Sequence, residues 1–92
     1  MIEPALNTTD FTANTTWAHK QGKQVIVYPY VTGVPVKNKT IATGLPAPKK
    51  QVNVRDTGFG IVTLNTAGTL YISSQGVTTS SYFAMPFSYF TE

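Results

Sequence analysis

Apolar and polar residues alternate with a period of two along much of this chain, and that spacing predicts β-strands. Residues 24–31, 51–55 and 59–74 show it most clearly, and valine, isoleucine, threonine and tyrosine dominate them. No window places apolar residues at helical spacing. Glycine or proline recurs roughly every eight to twelve residues, a spacing typical of sandwiches and barrels. The pattern predicts an all-β fold, a small antiparallel β-barrel or sandwich of about six to seven short strands.

Individual strands can be placed from this alternation. They are expected at residues 15–20, 24–31, 39–43, 51–55, 59–64, 69–74 and 81–90. Residues 59–64 and 69–74 form the clearest hairpin, joined by the turn at 65–68. Trp17 and His19 should share one face of the first strand, because successive side chains point to opposite sides.

Two of these strands carry special features. Pro29 has no N–H group, so strand 24–31 should lie at a sheet edge there or carry a bulge. Strand 81–90 has five aromatic residues and no charge. Because both of its faces are apolar, it should be covered on both sides, and a neighbouring subunit is expected to supply one cover.

The start of the chain differs from the rest. Residues 1–14 are polar and rich in threonine, which predicts a linker or extended arm, followed by a β head domain over residues 15–92. A domain this small buries only about 60% of its unfolded surface, and the chain has no cysteine for a disulfide. Association with other copies is therefore expected to add stability.

Composition also favours a partner. Hydrophobic residues make up 41% of the chain and charged residues 12%, whereas a typical soluble domain has about 25% charged residues. Apolar surface should therefore face outward or contact a partner. No run approaches the ~20 apolar residues that span a bilayer, so membrane insertion is not expected.

The net charge of +3 raises the question of whether the chain binds nucleic acid. Five of the seven cations lie between Lys37 and Arg55, and small β-barrels can bind single strands in a basic groove lined with aromatics. Lys49 and Lys50, however, follow two prolines in a connection between strands. The interpretation favoured here is a stiff connection whose lysines face water, with nucleic-acid binding as the competing class.

Catalytic and metal chemistry lack the residues they need. Three of the four carboxylates lie in the terminal segments, and His19 is the only imidazole. An acid, a base and an orienting group within hydrogen-bond reach are therefore not expected, nor is a metal site or a cofactor. The sequence predicts a protein that is not an enzyme.

The order of motifs resembles one known family. Residues 17–31 read "WAHKQGKQVIVYPYV", residues 40–54 read "TIATGLPAPKKQVNV", residues 60–73 read "GIVTLNTAGTLYIS", and an aromatic strand closes the chain. This is similar to the C-terminal head domains of tail fibres and baseplate receptor-binding proteins in siphophages of Gram-positive bacteria. The resemblance implies a homotrimer at the phage tail tip or baseplate. It also implies contacts with other tail and baseplate proteins, and adhesion to host cell-surface saccharide.

One part of the family pattern is missing. In lactococcal members the sugar pocket uses a histidine and an aspartate two apart on a strand, then a tryptophan and an arginine. The corresponding strand here has Ile61 and Thr63, and the next has Ile72 and Ser73. Only residues 55–56, arginine and aspartate, match a nearby pattern.

Saccharide binding can still be placed on this sequence. It needs ring faces for stacking and planar polar groups for hydroxyls. The candidate saccharide-binding residues are Trp17, His19, Tyr28, Tyr30, Asn53, Arg55, Asp56 and Tyr71. Trp17 could instead be a large core or interface residue. The alternative function is a structural baseplate module that trimerises and docks other tail proteins without binding glycan.

Overall fold

The architecture is all-β and antiparallel, as predicted. A computed structural model describes residues 2–91, and within that range eleven short strands form three antiparallel sheets with no helix. The sheets do not close into a barrel, because each of them keeps two edge strands. Met1 and Glu92, which begin the predicted arm and end the predicted head domain, lie outside the described residues.

The strands are short and belong to one large and two small sheets. In chain order they are β1 (Ala5–Leu6), β2 (Ala13–Asn14), β3 (Trp17–Gln21), β4 (Gln24–Tyr28), β5 (Val31–Gly33), β6 (Thr40–Thr43), β7 (Val52–Asp56), β8 (Gly60–Leu64), β9 (Leu70–Gln75), β10 (Ser81–Phe83) and β11 (Phe87–Phe90). The five-stranded sheet has the order β1-β6-β9-β8-β7. The small sheets have the orders β10-β5-β2 and β11-β4-β3. Their buried residues form one hydrophobic core.

The two small sheets are consecutive parts of one long antiparallel register. Asn14 pairs with Val31 and Trp17 pairs with Tyr28. Between these two pairs the chain moves three residues forward on one side, from 14 to 17, and three residues back on the other, from 31 to 28. On the other side, Phe83 pairs with Val31 and Phe87 pairs with Val27, a step of four residues on each side. No residue is inserted on either side, so the register is the same in both sheets. Residues 24–33 therefore form the middle line of both sheets.

Pro29 lies at the point where this middle line passes from one sheet to the next. The prediction of an edge strand or a bulge was wrong, because β4 and β5 are both central strands. Proline cannot donate to a ladder, so the strand ends at Tyr28 and a new one begins at Val31. The backbone stays extended across the break, and Thr15 N donates to Tyr30 O over 2.9 Å.

The prediction of one strand over residues 81–90 was also wrong. The segment is interrupted between Phe83 and Phe87, opposite the break at Pro29, and Pro86 lies within the interruption. Its two faces are not both covered within the chain, since Tyr82 is 63% exposed and Phe90 is 62% exposed. The aromatic composition of this segment therefore serves both the core and the surface.

Residues 2–14 contact all three sheets. Ile2 and Ala18 exchange backbone hydrogen bonds of 2.7 and 3.0 Å at β3, β1 pairs with β6, and β2 pairs with β5. The segment is extended, and it adds Phe11, only 4% exposed, to the core. Its polar composition gave no indication of these contacts.

Phe11 continues a row of three stacked phenylalanines. Its ring centroid lies 6.2 Å from that of Phe59, which in turn lies 5.9 Å from that of Phe83. Aromatic pairs at these distances add about 0.5–1.5 kcal/mol each beyond their buried area. The row joins the arm, the turn between β7 and β8, and the start of the last segment.

Asn14 fixes the arm by hydrogen bonds inside the protein. Its Nδ2 donates to Ile41 O over 2.9 Å and to Asn7 O over 3.2 Å, and its Oδ1 accepts from the Thr16 hydroxyl over 3.0 Å. A buried amide is tolerated only when its donors and acceptor find partners. Asn14 therefore holds the arm against β6 without an unsatisfied polar group.

The connection over residues 43–51 packs against the protein and is not a free loop. Leu45 N donates to Gly68 O over 3.2 Å, the Tyr89 hydroxyl donates to Pro46 O over 2.7 Å, and Lys49 N donates to Phe90 O over 2.9 Å. Lys49 and Lys50 are exposed. The prolines thus direct a fixed connection while the lysine side chains face solvent.

We expect Phe11→Ala to lower the free energy of unfolding by about 3–5 kcal/mol, because it removes a buried ring and leaves a cavity. Chemical denaturation measures this loss. Val77→Ala, at an exposed apolar position, is the control and should stay within about 0.5 kcal/mol of the parent protein. An equally small effect of Phe11→Ala would show that the arm does not contribute to the core.

We expect Tyr89→Phe to lower the free energy of unfolding by about 0.5–1.5 kcal/mol near pH 8, because Pro46 O loses its donor. Burial raises the pKa of Tyr89 to about 12, above its ordinary value of 10.0. The unfolded state therefore ionises first, and the stability from this group is present below pH 10 and is lost as the pH rises toward about 12.

Denaturation of the parent protein and of Tyr89→Phe at pH 8 and at pH 11 tests this. The difference between the two proteins should shrink at the higher pH, while the other tyrosines affect both equally. A difference that stays constant with pH would contradict the assignment of the alkaline loss to Tyr89.

Candidate functional site

The eight predicted site residues fall on separate surfaces. Trp17, His19 and Tyr28 lie on the outer face of the β11-β4-β3 sheet, and Tyr30 follows Tyr28 along the same extended line. The remaining four belong to the five-stranded sheet: Asn53, Arg55, Asp56 and Tyr71. The first group has the larger exposed ring surface.

Trp17 and Tyr28 form a stacked pair at the surface. They are direct partners across β3 and β4, and their rings lie 4.5 Å apart between centroids with an interplanar angle of 21°. Trp17 is 39% exposed and Tyr28 is 36% exposed. Trp17 is therefore not a core residue of this chain.

The backbone explains why the pair is held in place. Ala18 and Val27, the next residues on the two strands, are also direct partners, and both are fully buried. Their burial in the core fixes the strands and so turns Trp17 and Tyr28 outward. The core therefore fixes the positions of both rings through the buried neighbours Ala18 and Val27.

His19 lies on the same outer face, as predicted. It pairs with Ile26, which pairs on its other side with Ser88 of β11. His19 and Ser88 are exposed and Ile26 is half-buried. An imidazole and a hydroxyl next to the stacked rings provide both hydrogen-bond donors and acceptors.

A second surface on the five-stranded sheet is polar. The Thr63 hydroxyl lies 2.8 Å from Asn53 Oδ1 and 2.7 Å from Ser73 Oγ, and it donates to one of them at a time. Ser73 Oγ donates to Ile61 O over 3.1 Å. Thr63 itself is fully buried, so these groups mainly satisfy one another.

The exposed members of this polar surface are Asn53 and Arg55, which line a shallow groove of about 450 Å³. Tyr71, the partner of Thr63 across β8 and β9, is half-buried beside it. Thr63 and Ser73 were not predicted as site residues. Their position could have been found from the hairpin register, which places Thr63 opposite both Asn53 and Tyr71.

Asp56 has a different environment from Arg55. Its Oδ1 accepts hydrogen bonds from Gly58 N over 2.9 Å and Phe59 N over 3.0 Å, so it closes the turn between β7 and β8. As neighbours on a strand, Arg55 and Asp56 point to opposite faces and line different depressions. The structure does not bring their side chains together.

The sequence predicted cover for both faces of residues 81–90, one of them from a neighbouring subunit, without saying which side chains the chain itself leaves exposed. Among them are Tyr82 and Phe90. They are the most exposed of the large hydrophobic side chains within residues 2–91. Only their register could have shown it: Tyr82 pairs with Thr32 and Phe90 pairs with Gln24, all on the outer side of the middle line.

Comparison of the chain with protein-family models, curated proteins and solved structures gives no match. No helix within residues 2–91 is long and apolar enough to cross a membrane. Among the same residues, no three His, Cys, Asp or Glu side chains are grouped so that they could hold a metal ion. The site must therefore be interpreted from its own geometry.

We expect Asp56→Ala to lower the free energy of unfolding by about 1 kcal/mol, because Gly58 N and Phe59 N lose their acceptor. Asp56→Asn keeps an oxygen at that position and should lose less. Arg55→Ala, at an exposed position, should stay within about 0.5 kcal/mol. Thermal or chemical denaturation of the three variants checks this order. Equal stability of Asp56→Ala and Arg55→Ala would contradict a structural role for Asp56.

Proposed function

We propose that this protein binds saccharide non-covalently on the outer face of β3 and β4. The exposed stacked pair of Trp17 and Tyr28, 4.5 Å apart between ring centroids, is the observation that carries the proposal. Sugar rings have apolar C–H faces and polar hydroxyl edges. A ring surface bordered by donors and acceptors is complementary to both.

The rigidity of the surface supports this function. A sugar is strongly hydrated through its hydroxyl groups, so each contact with protein gives only a small net gain in binding free energy. Ordering flexible side chains on binding would offset much of that gain. Trp17 and Tyr28 have few rotatable bonds and stand on strands that the core fixes through Ala18 and Val27. The surface is therefore preorganised for a planar ligand face.

The biological setting rests on the family resemblance. On that basis, the chain would be an adhesion module of a phage tail fibre or baseplate. It would be trimeric in the virion, would contact other tail proteins and would bind the host cell-wall saccharide. The all-β architecture of residues 2–91 is compatible with such a module. Ile61 and Thr63 stand where the lactococcal members have the histidine and aspartate of their sugar pocket. We therefore propose the Trp17 surface, and not that pocket, as the binding site.

One observation favours the alternative, a structural module without glycan affinity. Tyr82 and Phe90 leave more than half of their surface exposed, and exposed apolar patches often mark subunit contacts. In that case Trp17 and Tyr28 would belong to a subunit contact. The two functions differ in whether isolated protein binds glycan at all.

Trp17→Ala tests the proposal. We expect it to weaken binding to glycan arrays and to Gram-positive cells by roughly tenfold or more, because it removes half of the stacked surface. Trp17→Phe keeps a ring and should retain more affinity. Val77→Ala, at an exposed apolar position in the connection after β9, should bind like the parent protein.

Light scattering on the same variants separates the two functions. Loss of binding by Trp17→Ala with an unchanged molar mass supports a saccharide surface. A parent protein that binds no glycan, and whose oligomer dissociates in Trp17→Ala, would establish the structural module instead. A parent protein that is monomeric at high concentration would remove the trimer from the proposal.

A further inference from the structure

Burial alternates without exception along residues 24–36, across two strands and two sheets. The odd positions 25, 27, 29, 31, 33 and 35 are all buried. The even positions are all half-buried or exposed. We call six of them the outer row: Ile26, Tyr28, Tyr30, Thr32, Val34 and Val36.

The outer row follows the two central strands from Ile26 to Thr32, a span of roughly 20 Å, about half the longest dimension of the molecule, 38 Å. Val34 and Val36 continue the row after β5 ends at Gly33. The register shared by the two small sheets keeps the row continuous across Pro29. The row is therefore a single surface and not two short patches.

Aromatic rings widen the row on both sides. Trp17 lies beside Tyr28 on β3, and Tyr82 lies beside Thr32 on β10. Because β3 and β10 flank the middle line on opposite sides, the rings cross the row diagonally, from Trp17 through Tyr28 and Tyr30 to Tyr82. Ring surface is thus available at successive levels along the row and not only at the stacked pair.

The outer row contains no charged residue, although the chain has a net charge of +3. Lys23 precedes it and Lys37 follows it, so the cations lie beyond its two ends. The one titratable group paired with it from β3 is the imidazole of His19, opposite Ile26. A ligand that lies along the row meets rings and hydroxyl groups, and a neutral ligand fits this environment best.

We infer that the outer row binds an extended, neutral polysaccharide chain, with several consecutive sugar residues in contact at once. The inference rests on the proposed saccharide function and specifies its ligand. A straight chain with flat C–H faces, such as a β1→4-linked glycan, matches the extended row and its spaced rings. A second copy of this protein fits less well, because such a contact would have to desolvate the hydroxyl groups of Tyr28 and Tyr30 in the row and of Tyr82 beside it.

The test compares oligosaccharides of increasing length. Calorimetry with chito-oligosaccharides and cello-oligosaccharides of one to six units should show the hexasaccharide binding roughly tenfold or more tighter than the disaccharide. Trp17→Ala should weaken the binding of both lengths. Tyr82→Ala should weaken only the hexasaccharide, by roughly fivefold or more, while Val77→Ala should change neither.

The outcomes separate this inference from the proposed function. Disaccharide and hexasaccharide of equal affinity, or a Tyr82→Ala variant with unchanged hexasaccharide affinity, would overturn the extended site and leave saccharide binding intact. No binding to any member of either series would overturn both. An oligomer in light scattering that Tyr82→Ala dissociates would make the row a subunit interface and overturn the inference.

Discussion

The insertion of Phe11 into the core is the contact on which the arrangement of the three sheets depends. Phe11 stacks on Phe59, which stacks on Phe83, so the arm is packed together with a turn of the large sheet and a strand of a small one. Gly33 permits the approach, because a Cβ at that position would lie 3.2 Å from the Phe11 ring. Without this ring the arm, which contacts all three sheets, would lose its link to Phe59 and Phe83. A domain of this size has little stability to spare.

The surface follows from the same core. Burial of every odd position from 25 to 35 leaves the even positions outside, and the constant register carries this division through the break at Pro29. The exposed rings therefore stand on a backbone that the core already holds straight. A binding surface of this kind would need no loop rearrangement, which is consistent with the proposed saccharide binding.

The sequence predicted which neighbouring side chains share a strand face near the candidate site, but not how the strands bring these faces together. Trp17 and His19 share an outer face, and Tyr28 lies on it too, as the alternation required. Arg55 and Asp56 are adjacent on β7, so the same alternation turns their side chains to opposite faces and could have separated them in advance. For residues 81–90 a neighbouring subunit was expected to cover one face. The apolar composition did not show that the side chains left exposed within the chain include Tyr82 and Phe90.

Local pattern by itself determined the β class, the strand positions of the central segments, and which side chains share a face. These are properties of the extended backbone, whose side chains alternate whatever surrounds them. Only the tertiary structure decided that residues 2–14 pair with all three sheets and add Phe11 to the core, that residues 24–33 and 81–90 each divide between two sheets, and that the outer row is left uncovered. Each of these depends on contacts between residues far apart in the chain, such as Ile2 with Ala18 and Phe11 with Phe59, and no period in the sequence records them.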